Sequence, residues 1–159
     1  MTNERTSLLR WIEEGFSWKA WHGPNLRGAI RRVDAAQASW RPAGGRHNIA
    51  EIVVHCAYWK YAVRRRIRGD KRGSSALKGS NWFALPPSLT GAQWRDYVKL
   101  LDAQHEALMQ AVAEASWGDL CRTKSGPGKS IAAHVYGVAM HDVYHAGQIQ
   151  TLKALYRSR

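Results

Sequence analysis

At 159 residues the chain suits a single hydrophobic core, and a hydrophobic content of 45% excludes an intrinsically disordered segment. No apolar run reaches the roughly 18 residues needed to cross a bilayer, and the opening MTNERTSLLRWIEEGFSW lacks the continuous apolar stretch of an export signal. The expectation is a soluble, cytoplasmic protein with one domain over residues 1–159. The formal net charge of +12 admits nucleic acid, an anionic membrane surface or acidic small molecules as partners.

A first helix is expected from about Asn3 to Ala20, with Leu8, Leu9, Ile12 and Phe16 on one side. Gly23-Pro24 interrupts it, and a shorter helical piece follows through Leu26, Ile30 and Val33. Residues Trp40 to Gly45 read as a loop. The second helix opens at Asn48, an N-cap with Glu51 three residues on, as in a capping box. Ile49, Ile52, Val53, Cys56, Trp59, Val63 and Ile67 keep helical spacing until Gly69 ends the helix. Its last turn and exit carry the densest basic stretch, Arg64 to Arg72, where cations complement the helix dipole and solvate a surface. That reading is preferred to a nucleic-acid role.

A long loop follows over about 70–89, a length that often belongs to binding or lid segments. Thr90 caps a third helix that runs to about Ser116, with a seam of Trp94, Val98, Leu101, His105, Leu108, Val112 and Ala115. A second loop, Trp117 to Lys129, leads to Ser130 as N-cap of the fourth helix, which runs to about Tyr156. Four helices with one apolar stripe each can hide those stripes only against one another, so the expected fold is all-α, an up-and-down four-helix bundle. The two cysteines, Cys56 and Cys121, form no Cys-x-x-Cys pair and read as core thiols. Most of the eight tryptophans are expected in the core or at the bundle ends, with Trp82 placed to line a pocket.

The fourth helix carries the informative pattern. Its seam reads Ile131, His134, Val138, His141, His145, Gln148, Leu152, Leu155, which sets three imidazoles and an amide where aliphatic side chains would ordinarily pack. Burying such groups costs roughly 1–3 kcal/mol each unless they find partners. His141 and His145, four apart, lie one turn apart on one helical face, a spacing that lets two imidazoles share one metal ion. His134, about 10 Å of helix rise before His141, is too far for direct ligation and is expected to line or support the site, as is Gln148. A third inward histidine would complete a three-nitrogen site with open positions. His55 and His105 both qualify, and spacing alone does not choose between them.

Two lookalikes fail. His-Asp-Val-Tyr-His at 141–145 resembles the zinc-protease pattern, but Asp142 is one methylene shorter than the glutamate base and no His, Asp or Glu follows His145. Gly126-Pro127-Gly128-Lys129-Ser130 ends like a phosphate-binding loop, yet Thr123 stands where the first glycine is required and no strand precedes it.

The run Arg46 to His55 at the start of the second helix, together with His141-Asp142-Val143-Tyr144-His145-Ala146-Gly147-Gln148-Ile149 in the fourth, resembles the DinB-like superfamily of four-helix bundles. The similarity extends more loosely over nearly the whole chain, through Trp21-His22-Gly23-Pro24 and the Asn81-Trp82 loop. It implies a metal triad of one histidine from the second helix and two from the fourth, here His55, His141 and His145, with zinc or nickel as the usual ion and iron or manganese as alternatives. It also implies a metal-dependent hydrolase, or a transferase or isomerase that uses a low-molecular-weight thiol, acting on a small-molecule substrate. The alternative is a non-catalytic bundle stabilised by its metal. No sequence feature decides whether the chain forms a homodimer.

Overall fold

The computed structural model describes residues 2–44, 47–73, 75–123 and 128–159, with nothing said of the Thr2 and Asn3 side chains. Gly45 of the expected loop, Arg46 of the family-like motif, and Gly126-Pro127 of the phosphate-loop lookalike lie outside the described residues. Among those described, the chain forms helices and no strand. They are α1 (Thr2–Phe16), α2 (Leu26–Ala29), α3 (Ala35–Ser39), α4 (Ile49–Arg68), α5 (Gly91–Glu114), α6 (Trp117–Cys121) and α7 (Ile131–Arg157).

Local chemistry sets the long helix ends. Asn48 accepts from the Glu51 N–H at 2.9 Å and the Glu51 carboxylate accepts from the Asn48 N–H at 3.3 Å, a complete capping box. Thr90 and Gln93 build a second one at the start of α5, and Ser130 caps α7 by accepting from Ala133 N–H. Gly69 closes α4 at φ 75°, a left-handed conformation that costs glycine no steric strain. The first helix ends at Phe16, one turn before the expected Ala20. Asp34 caps the short α3 and Ser116 the short α6, both in segments the sequence reading left as connections.

The expected all-α four-helix bundle is built from α1, α4, α5 and α7. Each of α4 and α1 packs against both α5 and α7. The directions refine the alternating scheme. Arg68 near the end of α4 pairs with Glu114 at the end of α5, so these neighbours run in parallel. Trp11 meets Tyr136 and Gly15 lies against Ala139, so α1 and α7 are parallel as well. The order is therefore up, down, down, up, and the long 70–89 segment brings the chain back along the bundle between α4 and α5. At Gly15 a Cβ would lie 2.8 Å from the Ala139 carbonyl oxygen, which is why α1 and α7 approach closely only with glycine there.

The core has two apolar clusters. One joins Phe16, Leu26, Ile49, Val53, Trp94, Leu101 and Ile149; the other joins Leu8, Ile12, Val63, Leu108, Val112, Val135 and Val138. Two expectations are corrected by burial. Cys56 is buried, but Cys121 is exposed at the end of α6. Most of the tryptophans pack in or against the core as expected, Trp40, Trp59, Trp82, Trp94 and Trp117 among them, while Trp11, Trp18 and Trp21 are exposed. On α7 the seam holds for Ile131, Val138, His145 and Leu152, whereas Leu155 is exposed and Asp142 and Lys153 are buried. Helix α7 packs against α1 and α4 at once, so it buries a wider arc than one stripe.

Candidate metal centre

His55 lies in the second turn of the capped α4, and His141 and His145 lie one turn apart on the facing side of α7. The helices bring the three Nε2 atoms together: His55 Nε2 is 2.9 Å and His145 Nε2 is 3.1 Å from His141 Nε2. His55 and His145 are buried and His141 is half-buried. Burial is the first cause that lowers the pKa of each, to about 3 for His141 and about 4 for His145; the neighbouring imidazoles add to it. The neutral imidazole, which is the ligating form, is thus the favoured one.

The outer nitrogens define the tautomers. His55 Nδ1 is 2.8 Å from the Asn81 carbonyl oxygen, which can only accept, so Nδ1 carries the proton. His145 Nδ1 likewise donates to Gln148 Oε1 at 2.7 Å, and the Gln148 amide N–H donates to the Tyr144 hydroxyl at 3.0 Å. Two Nε2 lone pairs therefore point at His141 Nε2. A single N–H there can satisfy only one of them, and His141 Nδ1 has no hydrogen-bond partner. A cation at the point of convergence satisfies all three. Both separations fall within the roughly 2.8–3.4 Å between nitrogens that share one ion at about 2.0–2.1 Å. Backbone or side-chain acceptors on the distal N–H are also the usual support of metal-bound histidine. The donor set fits a divalent ion.

The 70–89 segment completes the site. Asn81, at φ 64°, turns its carbonyl to His55 while its side-chain oxygen accepts from Trp59 Nε1 at 3.0 Å. The next residue, Trp82, is stacked between His47 and His55, with ring centroids 3.5 and 3.8 Å away and near-parallel planes. His47 Nδ1 in turn lies 3.3 Å from the Glu51 carboxylate, which also pairs with Arg41. An open cleft of about 680 Å³ lies over the cluster, lined by His47, Ile52, Trp82, Tyr144, Gln148 and Leu152 among others.

His105, the rival third histidine, is elsewhere. It is buried, stacks on Phe16 at 3.6 Å, and has Nε2 3.4 Å from Glu13 Oε1, too poorly aligned for a hydrogen bond. His134 donates to the Ser130 carbonyl at 2.8 Å and lines a separate cleft beside His141. Asp142 lies behind the cluster, a carboxylate oxygen within 4.8 Å of a His141 ring nitrogen and of Cys56 Sγ, and it is fully buried and paired with Lys60, itself fully buried. Sequence spacing does not reveal the Lys60–Asp142 pair or the parts played by Asn81 and His47, since each rests on contacts between distant segments.

The DinB superfamily model matches residues 19–149, most of the chain, and the chain belongs to that superfamily. No curated protein and no solved structure matches it. No helix is long and apolar enough to cross a membrane among the described residues.

Proposed function

We propose that this DinB-superfamily protein holds a divalent metal ion on the Nε2 atoms of His55, His141 and His145 and uses it to activate a small nucleophile, water or a low-molecular-weight thiol, against a small-molecule substrate. The observation that carries this reading is the convergence of three Nε2 atoms of which two must present lone pairs. Imidazole-rich ligation suits zinc or nickel, with iron or manganese as alternatives. When bound, the ion supplies Lewis acidity that favours the deprotonated form of the nucleophile at neutral pH.

The chain's own residues do the rest. Asn81 and Gln148 hold His55 and His145 in the ligating tautomer, which spares the site that reorganisation when it loads. Three protein ligands leave further positions open toward the cleft, the arrangement of catalytic rather than purely structural centres. The Trp82 ring shields one face of His55 from water. Tyr144 accepts from Gln148 and keeps its own O–H to donate toward a molecule in the cleft.

The test is the metal content of protein purified without a histidine tag, for wild type and His145→Ala. Near-stoichiometric metal in the wild type that is lost in the variant is the expected result and justifies assays of thiol conjugation and ester hydrolysis. A wild type that takes up no zinc, nickel, iron or manganese when these are added back would overturn the reading.

A further inference from the structure

A second cleft, of about 170 Å³, meets the first at His141. Its wall on α4 is Trp59, Val63 and Arg66, spaced by four and three residues along one helical face, and its wall on α7 includes His134, Gly137 and His141. At Trp59 and Arg66 it joins a wider depression to which Arg65, Arg72 and Lys78 contribute. Arg65, Arg66 and Arg72 belong to the basic stretch that the metal reading does not use.

Arg66 has no ion pair, and no hydrogen bond at Nη1, among the described residues. By contrast, Arg65 donates to the Asp70 carbonyl and Arg68 pairs with Glu114. The Arg66 Nη1 is enclosed. Leaving a charged donor desolvated and unpaired is costly, and a bidentate anion is the group a guanidinium fork fits best. Lys129 lines the same cleft and adds a second positive charge. On the opposite wall Gly137 is exposed, and a Cβ there would meet nothing within 4 Å, so the space is open at that point.

We propose that this cleft binds the anionic group, carboxylate or phosphate, of a small molecule, with Arg66 as its main contact and the remainder of the molecule running past Trp59 toward His141. The proposal gives the metal reading a substrate class: an extended, singly or doubly anionic molecule whose reactive end lies by the histidines. It rests on that reading for its purpose, but the Arg66 contact itself requires no ion.

Calorimetric titration of inorganic phosphate and of glutarate into metal-free and zinc-treated protein at low salt tests it. Wild type should bind at least one of the two with a Kd in the millimolar range, to be seen with probe at up to about ten times that concentration. Arg66→Ala should weaken binding about tenfold or more, and Arg66→Lys, which keeps the charge but not the fork, by less. Gly137→Met keeps every cation and improves helix propensity, yet should weaken binding by filling the cleft. Arg95→Ala, an equal charge change on exposed α5 surface, should leave it as in wild type. Phosphate alone binding would assign a phosphate ester, glutarate alone a carboxylic acid. Absence of binding by both probes, or equal loss in Arg66→Ala and Arg95→Ala, would overturn the proposal, as would full binding in Gly137→Met. Arg66-dependent binding in protein that takes up no metal would retain the anion site while removing the metal reading.

Discussion

Lys60→Met should destabilise the protein more at neutral pH than in mild acid. Lys60 and Asp142 are both fully buried and paired through Asp142 Oδ2, and Asp142 Oδ1 has no hydrogen-bond partner. Burial pushes the Asp142 carboxyl up and Lys60 pulls it back down. Without Lys60 the carboxylate escapes burial of its charge by taking up a proton. In wild type the Asp142 carboxyl is already raised from 3.8 to about 6, so wild type itself loses stability between about pH 4 and pH 6, where the unfolded chain releases the proton first. The variant's carboxyl stays protonated beyond that point, so the variant goes on losing stability above pH 6, at about 1.4 kcal/mol per pH unit, while wild type no longer does. Urea denaturation with chelator present should give a deficit relative to wild type that is larger at pH 7 than at pH 4.5 by about 1.4 kcal/mol. Lys60→Met combined with Asp142→Leu should recover most of the loss, because an apolar pair removes both desolvation penalties. A deficit that does not change between pH 4.5 and 7, or a double variant as unstable as the single, would refute the argument.

Other expectations concern the site and the helix contact. Gln148→Ala should lower metal affinity by about 10–100-fold, measured by competition with a chromogenic chelator, since it removes the acceptor that orients His145; unchanged affinity would show that the ring needs no such support. Because burial holds His141 near 3 and His145 near 4, protons should not displace the ion at pH 6, where exposed imidazoles already titrate, and affinity should fall only below about pH 5. Metal retention after dialysis across pH 4–7.5 checks this, and a midpoint near 6.5 would contradict it. Gly15→Ala should cost about 1–3 kcal/mol in spite of alanine's better helix propensity, because its Cβ would collide with the Ala139 carbonyl. A raised Tm would show that α1 and α7 separate at no cost.

What could be read from the sequence was what neighbouring residues decide. Asn48, Thr90, Ser130 and Gly69 act within one turn of themselves, and each caps a helix where local chemistry places it. The i, i+4 spacing of His141 and His145 works in the same way. Helices of four or five residues, such as α3 and α6, are too short to show a period and were indistinguishable from loops. The order of helices around the bundle was not legible, since an apolar stripe packs equally well on any partner stripe. The same limit applied to the third histidine. His55 and His105 are both inward and both buried, and only the placement of α5 against Phe16 and Glu13 takes His105 out of reach of the cluster. Asn81 and Trp82 reach His55 across 26 and 27 positions of chain, a contact no periodicity encodes.

The two apolar clusters of the core stop at the same level of the bundle. Between Ile12 and Phe16 of α1 lies Glu13; between Ala57 and Val63 of α4 lies Lys60; between Leu101 and Leu108 of α5 lies His105; and between Ala139 and Ala146 of α7 lie His141, Asp142 and His145. Polar groups thus cross the bundle in one layer, with the three-nitrogen cluster at its edge beneath the cleft. Such a layer is a poor device for stability: buried ion pairs are commonly matched or bettered by apolar side chains of equal size, and His105 is held neutral with a pKa near 3 and no hydrogen bond from its ring. Apolar packing is sacrificed at one level of the bundle, the level at which the histidines converge. The energetic concession and the proposed chemistry therefore share a location, which is where a fold that otherwise satisfies its local rules is expected to break them.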